Sequence, residues 1–165
     1  MGFRRIRCVL ISLLGAVVML TVGAAPASAV ERVPVESGFP VTFAAGDVCP
    51  FQVTLSEVEA DLVQTTLPRD TVLITGPLVV RVTNDATGES VVRDISGPVI
   101  ITQTGETEVA VLAGPALLVL FEGDDATGKL GKGLFYQPRG LDVFRGSTLI
   151  RAVGPTEDLC ETLAP

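Results

Sequence analysis

The feature that most limits the possible fold is a series of short apolar runs separated by turn residues. From residue 40 onward, runs of four to six residues rich in Val, Leu, Ile and Thr alternate with segments that contain Gly, Pro, Asn or Asp. This pattern predicts β-strands joined by tight turns. The predicted strands are 41–44, 51–55, 58–63, 71–75, 78–83, 90–95, 99–103, 108–112, 116–121, 133–137, 141–145 and 148–153.

Helical periodicity is nearly absent, with one exception at the end of the sequence. Thr156 is a capping residue type, and the acidic residues Glu157 and Asp158 suit a first helical turn. Closely spaced strands with tight turns predict antiparallel neighbours. A chain of this kind whose ends meet can close into a barrel and leave no exposed edge. We therefore expect an all-β fold, an antiparallel β-barrel of about eight strands with a short C-terminal helix; a two-sheet β-sandwich is the alternative.

The first 29 residues have the order of a secretory signal peptide. Three arginines within the first seven residues precede an apolar run over 8–22, and Ala27-Ser28-Ala29 supplies the small residues of a cleavage site. The apolar run is shorter than the roughly 20 residues that a spanning helix needs. We expect cleavage after Ala29 and an extracellular protein. The predicted organisation is a signal peptide over 1–29, a flexible lead-in over 30–39 and a single all-β domain over 40–165.

Two of the three cysteines, Cys49 and Cys160, follow the predicted cleavage site. An oxidising extracellular compartment favours a disulfide between them. The rival interpretation, two thiolates on a metal ion, has little support because the sequence contains no histidine. The bond would join the two ends of the domain.

The predicted mature chain is acidic, with nine basic and 19 acidic residues after position 29. This balance disfavours nucleic acid and anionic lipid as partners and favours solubility outside the cell. A second membrane span is not expected, because Gly114-Pro115 interrupts the best later candidate, Val109–Phe121. The partner is therefore an unidentified extracellular molecule or small ligand.

The residues needed for common catalytic arrangements are missing. Without histidine there is no Ser-His-Asp or Cys-His arrangement, and no phosphate loop or dinucleotide motif is present. Pairs of carboxylates are the remaining option for acid–base chemistry. The candidates are Glu57, Glu59, Asp61, Asp124 and Asp125, for which we expect a solvated surface position. We assign no catalytic, cofactor-binding or metal-binding residue.

One predicted hairpin, residues 78–95, places a charge on its apolar face in either register. If Asn84 pairs with Glu89, Arg93 joins the apolar side chains; if Asp85 pairs with Glu89, Asp94 joins them. Such a charge reaches water at the sheet end or anchors a ligand. The residues proposed to line a ligand cavity are Arg93 and Tyr136, the latter being the only tyrosine.

Two local patterns recur. The turn Asn84–Glu89 resembles Asp124–Lys129, and both suit a hairpin turn that ends in glycine. A Gly-Pro pair that follows an apolar and a small residue and precedes an apolar residue occurs at Gly76, Gly97 and Gly114. Proline has no N–H for the sheet ladder, so each pair marks a strand start, a bulge or a corner.

The run over 116–121 is apolar on both faces, so a loop, the terminal helix or a partner must cover the face that does not join the core.

The sequence resembles a group of small secreted actinobacterial proteins that have no assigned activity. The resemblance is carried by Gly46–Phe51, Thr75–Asn84 with Thr87-Gly88, Ile95–Pro98 and Asp158–Cys160. It implies export and one disulfide, and it supplies no site residues. We expect a non-enzymatic secreted protein that binds an extracellular molecule or is associated with the cell envelope. The alternatives are a barrel that binds a small apolar ligand and a carboxylate-dependent hydrolase.

Overall fold

The computed structural model describes residues 31–165. The predicted signal peptide lies outside the described residues. In this part of the chain, 14 strands precede one short helix. The strands are β1 (Arg32–Val35), β2 (Val41–Phe43), β3 (Val53–Ala60), β4 (Leu62–Leu67), β5 (Thr71–Thr75), β6 (Leu78–Asn84), β7 (Ser90–Asp94), β8 (Val99–Thr104), β9 (Thr107–Ala113), β10 (Ala116–Leu120), β11 (Gly133–Gln137), β12 (Leu141–Arg145), β13 (Thr148–Val153) and β14 (Glu157–Asp158), and the helix is α1 (Leu159–Thr162).

The strands form three antiparallel sheets. The seven-stranded sheet has the order β1-β4-β5-β8-β9-β12-β13, the four-stranded sheet β2-β3-β6-β7 and the three-stranded sheet β10-β11-β14. The prediction of an antiparallel all-β fold is confirmed. The described strands do not close into a barrel, and their layered sheets fit the sandwich alternative.

The three Gly-Pro pairs lie where the chain passes from one sheet to another. Gly76-Pro77 connects β5 to β6, Gly97-Pro98 connects β7 to β8, and Gly114-Pro115 connects β9 to β10. Two of these corners touch, because the Gly97 N–H donates to the carbonyl oxygen of Pro115 at 3.1 Å. The recurring pair therefore marks corners, one of the three roles predicted for it.

Adding a side chain at Gly97 should destabilise this contact between corners. A Cβ atom there would overlap the carbonyl oxygens of Ala113 and Pro115, which are backbone atoms and cannot rotate away. Gly97→Ala is expected to lower the free energy of unfolding by about 1–3 kcal/mol in urea denaturation. Gly105→Asn is the control, since Gly105 lies in an open turn at φ 64°, which asparagine tolerates. Equal unfolding midpoints for Gly97→Ala and the wild type would contradict the packing of the corners.

The three-stranded sheet is the middle layer and packs on both sides. Toward the seven-stranded sheet, the buried core consists of Ala116, Leu118, Leu120, Phe135, Leu149 and Ala152. Toward the four-stranded sheet and α1, it consists of Val48, Cys49, Val53, Leu55, Val82, Leu134, Leu159 and Leu163. Alternate residues of β10 face the two cores, with Leu118 in the first and Leu117 against the second. The molecule itself thus covers both faces of the predicted run at 116–120, whereas the last residue of that run, Phe121, is 44% exposed.

Several local details differ from the sequence-based expectations. The predicted strands 51–55 and 58–63 are replaced by β3 and β4, which are separated at Asp61, and Glu157 and Asp158 form β14 and not a first helical turn. Strand β1 lies within the stretch expected to be a loose lead-in, and it pairs with β4 at the edge of the seven-stranded sheet. Its Pro34 is compatible with an edge strand, where a missing N–H costs least. Helix α1 is capped by Asp158, not by Thr156, because the Asp158 carboxylate accepts hydrogen bonds from the N–H groups of Cys160 and Glu161. Among residues 31–165, no helix is long and apolar enough to span a bilayer.

Candidate functional site

The predicted disulfide is present between Cys49 and Cys160, whose Cα atoms are 5.3 Å apart. Cys49 is 2% exposed and packs in the same core as the α1 residue Leu159. The bond joins the segment before β3 to the helix after β14, so it fastens the four-stranded sheet to the three-stranded sheet. A buried hydrogen bond from Asn84 Nδ2 to the Leu163 carbonyl oxygen, 2.9 Å long, reinforces this connection.

The structure selects the first of the two registers considered for the hairpin of β6 and β7. Val82 lies opposite Val91 and Val80 opposite Arg93, and the Asn84 N–H donates to the Glu89 carbonyl oxygen. Arg93 therefore shares a face with the apolar side chains. This register brings Arg93 to the boundary between the four-stranded and three-stranded sheets.

Arg93 and Tyr136, proposed together from the sequence, do lie together. The Arg93 guanidinium carbon is 5.4 Å from the centre of the Tyr136 ring. The guanidinium also donates to both carboxylate oxygens of Glu157, at 2.9 Å from Nε and 2.5 Å from Nη2. Glu157 was missed because it is 64 residues from Arg93 in the sequence and was considered only as a helix-start residue.

The pair of Arg93 and Glu157 compensates its own charge. Hydrogen bonding from Arg93 holds the pKa of Glu157 below its usual value, and the same bond raises the pKa of Arg93. The two side chains are only 23% and 32% exposed, so solvent screens the pair incompletely. The arrangement links β7 to β14 and serves as a second connection between the two sheets, besides the disulfide. A ligand-binding role for Arg93 stays a prediction.

Replacing Arg93 with methionine tests the strength of this connection. Loss of the two hydrogen bonds and of the contact with Tyr136 is expected to cost about 1–2 kcal/mol in the free energy of unfolding at pH 7. Because the pKa of Glu157 is lower in the folded state, the ion pair contributes its full stabilisation at pH values above the pKa of a glutamate in the unfolded chain. This stabilisation is lost as the pH falls through the pKa of Glu157 in the folded state. The loss caused by Arg93→Met should therefore shrink at pH 3. Arg81→Met, at an exposed position of β6, is the control, and an equal effect of both variants would contradict the assignment.

The first carboxylate group, Glu57, Glu59 and Asp61, does not form a shared site. A β-bulge at Val58 places Glu57 opposite Val80 and Glu59 opposite Val79, so the two side chains lie on opposite faces of the strand. In a regular strand these alternating residues would line one face, and the bulge breaks that alignment. All three carboxylates are exposed, and Glu57 accepts a short hydrogen bond from the Ser37 hydroxyl.

The second carboxylate group, Asp124 and Asp125, organises its own loop. Asp125 accepts hydrogen bonds from the N–H groups of Thr127, Leu130 and Gly131, and Asp124 accepts one from the N–H of Phe121. Partial burial opposes ionisation of Asp125, but these donors outweigh it and hold the pKa well below its usual range. Its oxygens are therefore engaged by backbone donors. Within residues 31–165, no cluster of cysteine and carboxylate side chains has the arrangement of a metal site.

The buried polar pair formed by Asp142 and Gln137 was not predicted from the sequence. Asp142 is 1% exposed and Gln137 is fully buried. Neither carboxylate oxygen of Asp142, nor the amide oxygen of Gln137, has a hydrogen-bond partner. Burial raises the pKa of Asp142 to about 6, against a smaller opposing effect of the Gln137 amide. A single acidic residue inside the apolar run 141–144 was the only available signal.

One face of the seven-stranded sheet points away from the three-stranded sheet, and we call it the outer face. Its central row runs in register across all seven strands. The row consists of Arg32, Thr65, Leu73, Ile100, Val111, Val143 and Arg151. The row nearer the corners includes Pro34, Val63, Thr75, Ala113, Leu141 and Val153, and the row nearer the hairpin turns includes Leu67, Thr71, Thr102, Val109, Arg145 and Thr148.

The outer face is apolar in its centre and is not covered by the described chain. Of its residues only Thr65 is buried, and none belongs to either core cluster. Ile100 and Val153 are 40% and 47% exposed. An apolar sheet centre that the described chain leaves uncovered is typical of an interaction site.

A second apolar surface feature is a cleft that opens between the four-stranded and three-stranded sheets. Its volume is about 280 Å³, and its lining includes Phe39, Val41, Phe43, Leu55, Leu117 and Val119. Most of these side chains also pack against the second core. The cleft is near the lower limit of the roughly 300–1,000 Å³ of small-molecule sites.

Comparison of the chain with family models, curated proteins and solved structures gave no match.

Proposed function

We propose that this protein is exported, is cleaved after Ala29 and acts without catalysis as a binding protein of the cell envelope. The order of basic residues, apolar run and small-residue site at its start supports export. The disulfide between Cys49 and Cys160 is compatible with an oxidising compartment. The resemblance to small secreted actinobacterial proteins supports the same interpretation.

The observation that carries the proposal is the outer face of the seven-stranded sheet. Burial of apolar surface is the main favourable term in most associations, and this face offers it without rearrangement of the fold. Contact of Leu73, Ile100 and Val111 with water does not stabilise a monomer. A partner that covers these side chains gains the favourable free energy of burying them. The outer face is therefore the proposed binding surface.

Fractionation of a culture that produces the protein tests this proposal. We expect the wild type in the envelope fraction and Ile100→Glu in the medium, because a charge in the centre of the outer face opposes its burial. Val92→Glu is a matched control, since Val92 is 43% exposed on the four-stranded sheet and Ile100 is 40% exposed. Recovery of the wild type in the medium as a bare monomer would contradict the proposal. The mass of the recovered protein also reports whether cleavage follows Ala29.

A second candidate function is transport or storage of a small apolar molecule in the cleft between the four-stranded and three-stranded sheets. The apolar lining of Val41, Leu117 and Val119 supports it. Native mass spectrometry of protein recovered from the producing culture should then show a bound molecule, which Val41→Trp would displace by filling the cleft. Unliganded protein in both cases would exclude this candidate.

A further inference from the structure

The outer face differs in charge from the rest of the chain. Its three rows contain three of the nine basic residues that follow position 29, namely Arg32, Arg145 and Arg151, and none of the 19 acidic residues. An ordinary solvated face of so acidic a chain would carry carboxylates. The outer face therefore combines an aliphatic centre with positive charge at its margins.

The position of the arginines is defined by the sheet register. Arg32 on the edge strand β1 and Arg151 on the opposite edge strand β13 terminate the same central row. Counted along the sheet, the six spacings of about 4.8 Å between neighbouring strands place the two residues about 29 Å apart. Between them lie Leu73, Ile100 and Val111. The row therefore has one cation at each end of an aliphatic strip.

This arrangement disfavours a second copy of the chain as the partner. In a face-to-face dimer, a two-fold axis along the strands would place Arg32 opposite Arg151 of the other copy. A two-fold axis across the strands would place each of these arginines opposite its own equivalent. Both dimers bring like charges together in the interface, which destabilises it. Charge complementarity requires an anionic partner.

We propose that the outer face docks on a phospholipid surface that carries anionic headgroups. This inference rests on the proposed function and names the partner of the same face. Aliphatic side chains enter the boundary of the acyl chains, while long arginine side chains reach the headgroup phosphates. The backbone beneath the centre of this face is already paired within the sheet, so an extended peptide could add a strand only at the edges, beside β1 or β13.

The net negative charge of the chain does not prevent such docking. At physiological ionic strength the Debye length is about 8 Å, so a headgroup interacts mainly with charges at the contacting face. Carboxylates elsewhere on the surface oppose docking in other orientations. The net negative charge, which from the sequence alone counts against anionic lipid, therefore favours one docking orientation. In that orientation Arg32, Arg145 and Arg151 face the bilayer.

Vesicle sedimentation with the cleaved, disulfide-bonded protein tests the inference. We expect binding to vesicles of phosphatidylglycerol and phosphatidylcholine, and much weaker binding to phosphatidylcholine alone. The double variant Arg32→Gln/Arg151→Gln should lower the partition coefficient about 30-fold, at the usual contribution of about 1 kcal/mol from each basic residue near an anionic surface. Ile100→Glu should abolish binding. Arg81→Gln and Val92→Glu, both on the four-stranded sheet, should bind like the wild type.

Two results would overturn the lipid assignment. The first is that the protein binds both kinds of vesicle equally or binds neither. The second is that sedimentation velocity shows a dimer for the wild type and a monomer for Ile100→Glu. If the envelope fractionation still depends on Ile100, the outer face remains the binding surface and only the lipid assignment fails. If neither vesicles nor envelope retain the wild type, the proposed function fails as well.

Discussion

Removal of the disulfide by Cys49→Ala/Cys160→Ala is expected to lower the free energy of unfolding by about 4–5 kcal/mol. The bond spans a sequence separation of 111 residues, and closing so long a loop removes much of the conformational entropy of the unfolded chain. Because native domains are stable by only about 5–15 kcal/mol, this loss is large. Urea denaturation of the double variant and the wild type measures it.

Reduction of the wild type with dithiothreitol provides an independent comparison for the disulfide. The reduced protein should unfold at about the same urea concentration as the double alanine variant, since both lose the same cross-link. Detachment of α1 from the core around Cys49 and Leu159 should also lower the protection of the Asn84 side-chain amide, which donates to the Leu163 carbonyl oxygen. Equal stabilities of the oxidised and reduced proteins would contradict this account.

Asp142→Asn is expected to raise the free energy of unfolding by about 2–3 kcal/mol at pH 8. The buried Asp142 carboxylate has a pKa of about 6, against an ordinary value of 3.8. A carboxyl whose folded pKa is raised favours the folded state only while it is protonated, and this advantage is lost as pH rises from about 4 to 6. Each unit of pKa difference corresponds to about 1.4 kcal/mol. An asparagine removes the buried charge and can donate a hydrogen bond to the unpartnered Gln137 amide oxygen.

The pH dependence distinguishes this cause from a general effect of substitution. The difference between Asp142→Asn and the wild type should be near zero below pH 4 and should grow until about pH 7. Asp125→Asn should act in the opposite direction, because the pKa of Asp125 is lowered and its charge stabilises the folded state at neutral pH. Parallel stability curves for the wild type and Asp142→Asn would show that Asp142 does not titrate in this range.

Much of the local structure follows from the sequence. The predicted strands at 71–75, 133–137, 141–145 and 148–153 have the bounds observed for β5, β11, β12 and β13. These segments are predictable because short runs rich in β-branched, aromatic and other apolar residues between turn residues favour strands. Strand β1 was missed because Pro34 and its charged neighbours give no strand signal, and only pairing with β4 makes it a strand.

The candidate sites were less predictable than the strands. Tyr136 and Arg93 were selected from the sequence, but their contact and the pairing with Glu157 require β7, β11 and β14 to meet. The bulge at Val58 separated carboxylates that a regular strand would have aligned. A bulge depends on the pairing of β3 with β6, which local sequence does not encode.

The sequence by itself determined the strand-rich class, the interruptions between strands at the Gly-Pro pairs and the identity of the disulfide partners. Each of these depends on local conformational preference or on the small number of cysteines. Only the tertiary structure decided that the strands divide into three layered sheets, that Asp142 is buried and that Arg32 and Arg151 terminate one row across the outer face. Those features depend on register between strands distant in sequence, where a shift of one residue would exchange every side chain between the two faces.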